Sequence, residues 1–291
     1  MATLDAGDEV VIPAPSWVAY ADITHYAGGV PVWVPTRAED GFKLRAGELE
    51  AAITPRCKWL MLNSPSNPSG AVYSADELRA LAAVLERHPQ VWAVADDMYE
   101  HVLYDGRSFA TLAAVAPQLA ARTLTVNGCS KTYAMTGWRL GYGAGPVELI
   151  RAMARLQAQS SLNPSSVSQA AAVAALNGPQ DIVRERCAIF EARRNATVPR
   201  LDAIPGLACA PPAGAFYLYV SCAGWLGKRT PQGTTLKSDA DVTAYLLESG
   251  VALPNGAGYG LSPYFRVSFA ASQDYLDRAC DRIEAAAAKL S

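Results

Sequence analysis

The stretch Thr123-Leu-Thr-Val-Asn-Gly-Cys-Ser-Lys131-Thr-Tyr-Ala-Met-Thr-Gly-Trp-Arg139-Leu-Gly141 opens as an apolar strand and runs straight into a loop of small residues that carries a lysine. Lys131 therefore falls at the carboxyl end of a strand, where open α/β sheets place their ligands. A lone loop lysine is ordinarily solvated. Here its neighbours are small or apolar, Arg139 follows eight positions on, and no carboxylate in the stretch neutralises either cation. Two unpaired cations in such a setting point to an anionic partner from outside the chain.

Outward from this stretch, Val10–Ile12, Val30–Val34, Trp59–Leu62, Val91–Ala95 and Leu124–Val126 read as strands buried on both faces. Between them Ala75–Glu86 carries a helical stripe, Leu78, Leu81, Ala82 and Leu85, opened by a Ser74/Glu77 capping box. This alternation predicts an α/β fold, a mostly parallel sheet with helices on both faces. After the Asn177-Gly-Pro179 breaker, a charged helix over Asp181–Ala203 could bridge two domains. Beyond it, strand-like Phe216–Val220, Gly250–Leu253 and Phe265–Phe269 alternate with helical Asp239–Glu248 and Gln273–Lys289, a smaller α+β unit. The expected domains are 1–190 and 191–291.

Composition removes several functions. Twenty-five Lys plus Arg against 27 Asp plus Glu leave a charge of −2, so no basic excess exists to neutralise nucleic-acid phosphates. With 51% hydrophobic and 18% charged residues the chain can bury a large core. Six cysteines without a CxxC pair read as reduced thiols, and His25, His88 and His101 are too scattered for a metal centre. Asp5, Asp8 and Glu9 stand where an export signal would be basic and then apolar. Residues 203–227 lack charge but are broken by Pro205, Pro211, Pro212 and four glycines, so they read as a buried strand with turns rather than a membrane span. A soluble cytoplasmic protein is expected. Gly141-Tyr-Gly-Ala-Gly-Pro146 and Asn255-Gly-Ala-Gly-Tyr-Gly260 both miss the GxGxxG nucleotide pattern.

The lysine stretch resembles the signature of class I pyridoxal-phosphate-dependent aminotransferases: small-x-small-Lys, an Arg eight residues on, then an aliphatic-Gly pair. Further segments agree in the family's order. Asn63-Ser-Pro-Ser-Asn67-Pro-Ser-Gly70 resembles its Asn-Pro-Ser/Thr-Gly turn, and Ala95-Asp96-Asp-Met-Tyr99 its Asp-x-x-Tyr strand end. Pro15-Ser-Trp17-Val-Ala-Tyr20 resembles its ring-stacking segment, and Tyr264-Phe-Arg266-Val-Ser268 its substrate arginine. Within the family the likeness is to the bacterial aspartate (aspartate/prephenate) branch, over essentially the whole chain.

The resemblance implies the aspartate aminotransferase-like fold, with a mostly parallel seven-stranded sheet in the large domain and a smaller α+β C-terminal domain. It implies pyridoxal 5′-phosphate held by Trp17 on the ring face, Asp96 at the pyridine nitrogen, and Tyr99 and Asn67 at the phenolic oxygen. Arg139 would hold the phosphate, with Ser130 as a candidate hydroxyl. Lys131 would form the Schiff base and shuttle the proton. Arg266 would grip the substrate α-carboxylate, with Trp17 and Asn67 also facing the substrate. The reaction would move an amino group from L-aspartate, or a related dicarboxylic or aromatic amino acid, to a 2-oxo acid such as 2-oxoglutarate, in a homodimer. Two readings stay open beside it: a β-lyase or synthase on the same scaffold, and an inactive truncated homologue.

Two departures stand out. The hydroxyl residue that many relatives place three positions before the lysine is Gly128 here. Asp5-Ala-Gly-Asp-Glu-Val-Val11 resembles a segment well inside the family's large domain. The opening arm, the glycine/serine-rich phosphate turn and the tyrosine lent to the neighbouring subunit therefore have no counterpart, and the large domain is expected to be N-terminally incomplete.

Overall fold

The computed structural model describes residues 2–291; Met1, the start of the N-terminal reading, lies outside them. Strand β1 (Glu9–Ala14) leads through α1 (Ala19–Tyr26) to β2 (Val30–Pro35), α2 (Ala46–Ala52) and β3 (Cys57–Asn63). Then come α3 (Ala75–Arg87), β4 (Trp92–Asp96), α4 (Leu112–Val115), β5 (Thr123–Gly128), the single turn α5 (Cys129–Thr132) and β6 (Gly141–Ala144). These strands bond in the order β2-β1-β3-β4-β5-β6, parallel except for β6, which runs antiparallel to β5.

The five expected strands all coincide with β1–β5, but burial on both faces does not hold throughout. β2 has one neighbour, and its ends, Val30 and Pro35, are exposed. The described residues form six strands of this sheet, not seven, and the residues of β6 are exposed along its whole length. One face buries Val11, Leu60, Leu62 and Ala93 under Leu78, Leu81 and Leu85 of α3, each leucine contributing about 1.5–3 kcal/mol. The other face packs Ile12, Trp59 and Leu124 against Tyr20 and Leu149. The α3 capping box forms as expected: Ser74 Oγ accepts from Glu77 N at 3.2 Å, and Ser74 N donates to Glu77 Oε2 at 2.8 Å.

Helices α6 (Val147–Ser160) and α7 (Ser166–Asn177) precede the long α8 (Asp181–Asp202). Met153, Leu156, Val167, Val173 and Leu176 on α6 and α7 are exposed. The second half of α8 is buried against a separate core built on β7 (Tyr217–Ser221), β8 (Tyr264–Ser268), α9 (Asp239–Glu248) and α10 (Gln273–Ala287). Arg194 of α8, 4% exposed, pairs with Asp105 at 2.7 Å and donates to Pro212 O at 3.0 Å, tying the two sheets' connections together.

The strand expected at Gly250–Leu253 does not form. Gly250, at φ +84°, ends α9, with its amide bonded to Leu247 O and that of Val251 to Leu246 O. The segment then reaches Pro254, which has no N–H to extend a ladder. It makes isolated bonds to β8 instead: Arg266 N to Pro254 O at 3.1 Å, and Gly256 N to Tyr264 O at 2.7 Å. Near the crevice the two parts of the chain touch backbone to backbone. Gly214 N donates to Gly70 O at 3.0 Å, and a Cβ on Gly70 (φ +68°) would lie 2.3 Å from Pro212 Cβ.

Candidate active site

The sheet order reverses between β1 and β3, so the loops after these strands part and leave a crevice at their carboxyl ends. Trp17 and Tyr20 enter it from the segment after β1, Asn63 and Asn67 from the end of β3, Asp96 and Tyr99 from the end of β4, and Ser130 and Lys131 from the turn after β5. With Arg139 these residues line one cavity of about 290 Å³. Parallel register sets part of this, because Asn63 pairs with Asp96 and Asp96 with Val126 across the sheet. Arg266 reaches over from β8, and its Nη1 donates to Asn67 Oδ1 at 2.9 Å. All eight residues singled out in the sequence thus meet at one place.

Asp96 is the acidic centre. Burial pushes its carboxyl above the ordinary range, while the Tyr20 hydroxyl at 2.5 Å, the Met98 amide at 3.1 Å and the Lys131 charge pull it back. Asn63 braces the same corner, donating to Asp96 O at 2.9 Å and accepting from Asn67 N at 2.8 Å. Lys131 is half-buried. Burial, then the charges of Arg266 and Arg139, hold its ammonium pKa below the usual value, against the opposing pull of Asp96. A lysine so placed gives up its proton more readily than one in water.

Among the described residues none of Lys131, Arg139 and Arg266 forms an ion pair with a carboxylate. Arg139 is exposed, sits at φ +52° and donates to Thr136 O at 2.9 Å. Arg266 lies over the ring of Tyr217 at 4.5 Å and that of Tyr259 at 5.3 Å, and its buried Nε has no partner. Gly128 has a packing reason in this backbone: a Cβ there would press on Leu140 O at 3.1 Å, and on Gly141 Cα and Met98 Cε at 3.2 Å.

Sequence reading missed the functional part of Tyr20, Asn63 and Tyr217. Tyr20 and Asn63 lie inside quoted motifs, yet their partner Asp96 is 76 and 33 residues away, and no local pattern announces the contact. A larger hollow of about 620 Å³ beside α10 is lined by Arg278, Arg282 and the segment of β8 from Arg266 to Ser268. Arg278 pairs with Asp274 at 3.4 Å and Arg282 donates to Gly250 O at 2.7 Å, whereas the smaller crevice gathers Lys131, Arg139 and Asp96 and is the better ligand site. The described residues hold no cluster of metal-ligating side chains, and no helix among them is long and apolar enough to cross a membrane.

Such a crevice suits an enzyme that works through a lysine amine on anionic ligands. The chain belongs to the class I and II aminotransferases, whose family model matches residues 1–283. It is 57% identical to an aspartate aminotransferase of Rhizobium meliloti, over all of this chain and 71% of that protein. It is 52% identical to an aspartate/prephenate aminotransferase of Cereibacter sphaeroides, over all of this chain and 73% of that protein. A crystal structure of the aspartate aminotransferase from Rhizobium meliloti superposes with a TM-score of 0.97 at 57% identity, covering all of this chain and 73% of that one. The enzyme is an aminotransferase of the aspartate aminotransferase fold.

Proposed function

We propose that the chain moves an amino group from L-aspartate, or a related dicarboxylic or aromatic amino acid, to a 2-oxo acid such as 2-oxoglutarate, with pyridoxal 5′-phosphate as its cofactor. The observation that carries this reading is the set of three cations without carboxylate partners among the described residues, Lys131, Arg139 and Arg266, around a crevice whose acid is the partly buried Asp96. The donor set fits the cofactor. Lys131 Nζ is a primary amine for an aldehyde carbon, Asp96 a carboxylate for a ring N–H, and exposed Arg139 a guanidinium for a phosphate. Ser130 would add a hydroxyl to the phosphate, Tyr99 and Asn67 would hold the phenolic oxygen, and Trp17 would cover the ring.

When bound, pyridoxal phosphate supplies an electron sink for the pair left on the substrate Cα. The residues supply the rest. Asp96, whose carboxylate accepts from the Tyr20 hydroxyl and the Met98 amide, would keep a proton on the ring nitrogen. Lys131 Nζ takes the proton from Cα and returns it, a general base whose pKa is lowered by burial and by the charges of Arg266 and Arg139. Arg266, steadied by Asn67 Oδ1, receives the α-carboxylate in a two-point bridge and turns Cα toward Lys131.

In this reading residues 1–190 form the cofactor-binding unit and 191–291 the smaller unit. The active assembly is a homodimer, and the exposed apolar residues of α6 and α7 support it. Six free cysteines support a cytoplasmic setting.

Purified protein mixed with pyridoxal phosphate is expected to gain an absorption band in the region of about 360–430 nm. Borohydride should then add the pyridoxyl mass to the peptide containing Lys131. Absence of the band, or a band that survives Lys131→Ala, would refute the cofactor assignment. Formation of glutamate and oxaloacetate from aspartate and 2-oxoglutarate checks the substrate pair.

A further inference from the structure

Tyr217, the first residue of β7, is 6% exposed and stands behind the wall of the crevice. Strand register places it on the same face as Arg266, because Tyr217 pairs with Ser268 and Tyr219 with Arg266. Its hydroxyl is 2.8 Å from the Tyr99 hydroxyl, the two rings meet edge to face at 5.8 Å, and the Arg266 guanidinium sits 4.5 Å over its ring. Among the described residues no carboxylate pairs with Arg266; the aromatic faces of Tyr217 and Tyr259 and the Asn67 carbonyl oxygen surround it instead.

Two adjacent hydroxyls carry two protons, and their mutual bond uses one. Burial pushes both tyrosines above their ordinary pKa, so both protons stay in place at neutral pH. We propose that Tyr217 is a positioning residue for both ends of the site. Its hydroxyl donates to Tyr99 Oη and leaves the Tyr99 proton for an anionic oxygen in the crevice, while its ring holds the Arg266 guanidinium ready for a carboxylate. This rests on the proposed cofactor and amino-acid reading of the crevice. A hydroxyl that accepts one hydrogen bond becomes a stronger donor of the next, so Tyr99 depends on Tyr217 for part of its strength. The ring contributes through a partly desolvated cation–π contact.

The test uses the full chain with pyridoxal phosphate bound, as parent, Tyr217→Phe and Tyr217→Leu. Two readouts are taken: the pH midpoint of the visible absorbance change, and the dissociation constant of succinate, which is aspartate without its amino group. In Tyr217→Phe the midpoint is expected to rise by about half a unit, because a weaker Tyr99 donor stabilises the anionic oxygen less. Its succinate affinity should stay within about twofold of the parent, since the ring remains. Tyr217→Leu should show the same rise and bind succinate about three- to tenfold more weakly. An unchanged or lowered midpoint in Tyr217→Phe overturns the role of the hydroxyl. Succinate binding by Tyr217→Leu within about twofold of the parent overturns the role of the ring. The midpoint in Tyr217→Phe decides the role of the hydroxyl even where Tyr217→Leu does not fold, and Tyr217→Met then tests the ring in its place. A parent that shows no visible band defeats the reading of the crevice itself; a normal parent beside an unshifted Tyr217→Phe defeats only the role of Tyr217.

Discussion

Lys131 lives at odds with the stability of the fold. Burial and the charges of Arg266 and Arg139 set its folded pKa below the ordinary 10.5. Between that lowered value and 10.5 the unfolded chain binds more protons than the folded one, so stability rises with pH through that window. Below it, the folded state carries a cation it disfavours. Lys131→Met is therefore expected to raise the Tm of the cofactor-free protein at pH 7 by about 2 °C, a modest figure because the side chain is only half-buried. The gain should shrink as the pH approaches 10.5, and calorimetry across that range checks it. Conflict between function and local stability of this kind is common at active sites. It also explains which residues the sequence made legible. Lys131, Arg139, Asp96 and Asn67 sit in short motifs whose spacing is fixed by one turn of backbone each. Tyr217 acts on a residue 118 positions away, through a contact that only the tertiary fold creates.

At the level of elements, the long periodic segments were readable because one physical pattern governs each. α3 shows its apolar stripe and its capping box, and both form. Gly250–Leu253 misled because an apolar run can lie extended without a ladder. Here the glycine serves the end of α9 and Pro254 blocks further pairing. The exit of α3 shows a different dependence on distant residues. Arg122 donates to Leu85 O at 2.7 Å, His88 O at 3.0 Å and Val91 O at 2.6 Å, so one guanidinium closes the helix end and the loop into β4, the strand that carries Asp96. Arg122→Ala leaves these carbonyls without that donor and should cost about 2–3 kcal/mol. A Tm fall of about 5–10 °C in thermal melts, with a smaller effect for Arg122→Lys, is the expected outcome.

For the whole molecule, α6 and α7 pose the main question of assembly. Leu156, Val167, Val173 and Leu176 lie open to solvent on helices whose other faces carry little of the core. The proposed homodimer would cover such a surface. Sedimentation equilibrium should give the mass of two chains, and Leu156→Glu with Val173→Glu should shift it toward one at micromolar concentration, because charges in an apolar interface are costly to desolvate. A single-chain mass for the parent would rule the assembly out.

The meeting of Gly70 with Pro212 and Gly214 has a mechanical meaning as well. One residue of this contact belongs to the turn that presents Asn67, and the others lead directly into Tyr217. The spacing between the jaws that carry Asn67 and Arg266 is thus gauged by the bare main chain of Gly70 against the Pro212 ring and the Gly214 carbonyl. Even a single methyl on Gly70, 2.3 Å from the Pro212 ring, would act as a shim and prise the jaws apart. The fit of a small amino acid between those jaws is set by a side chain that is not there.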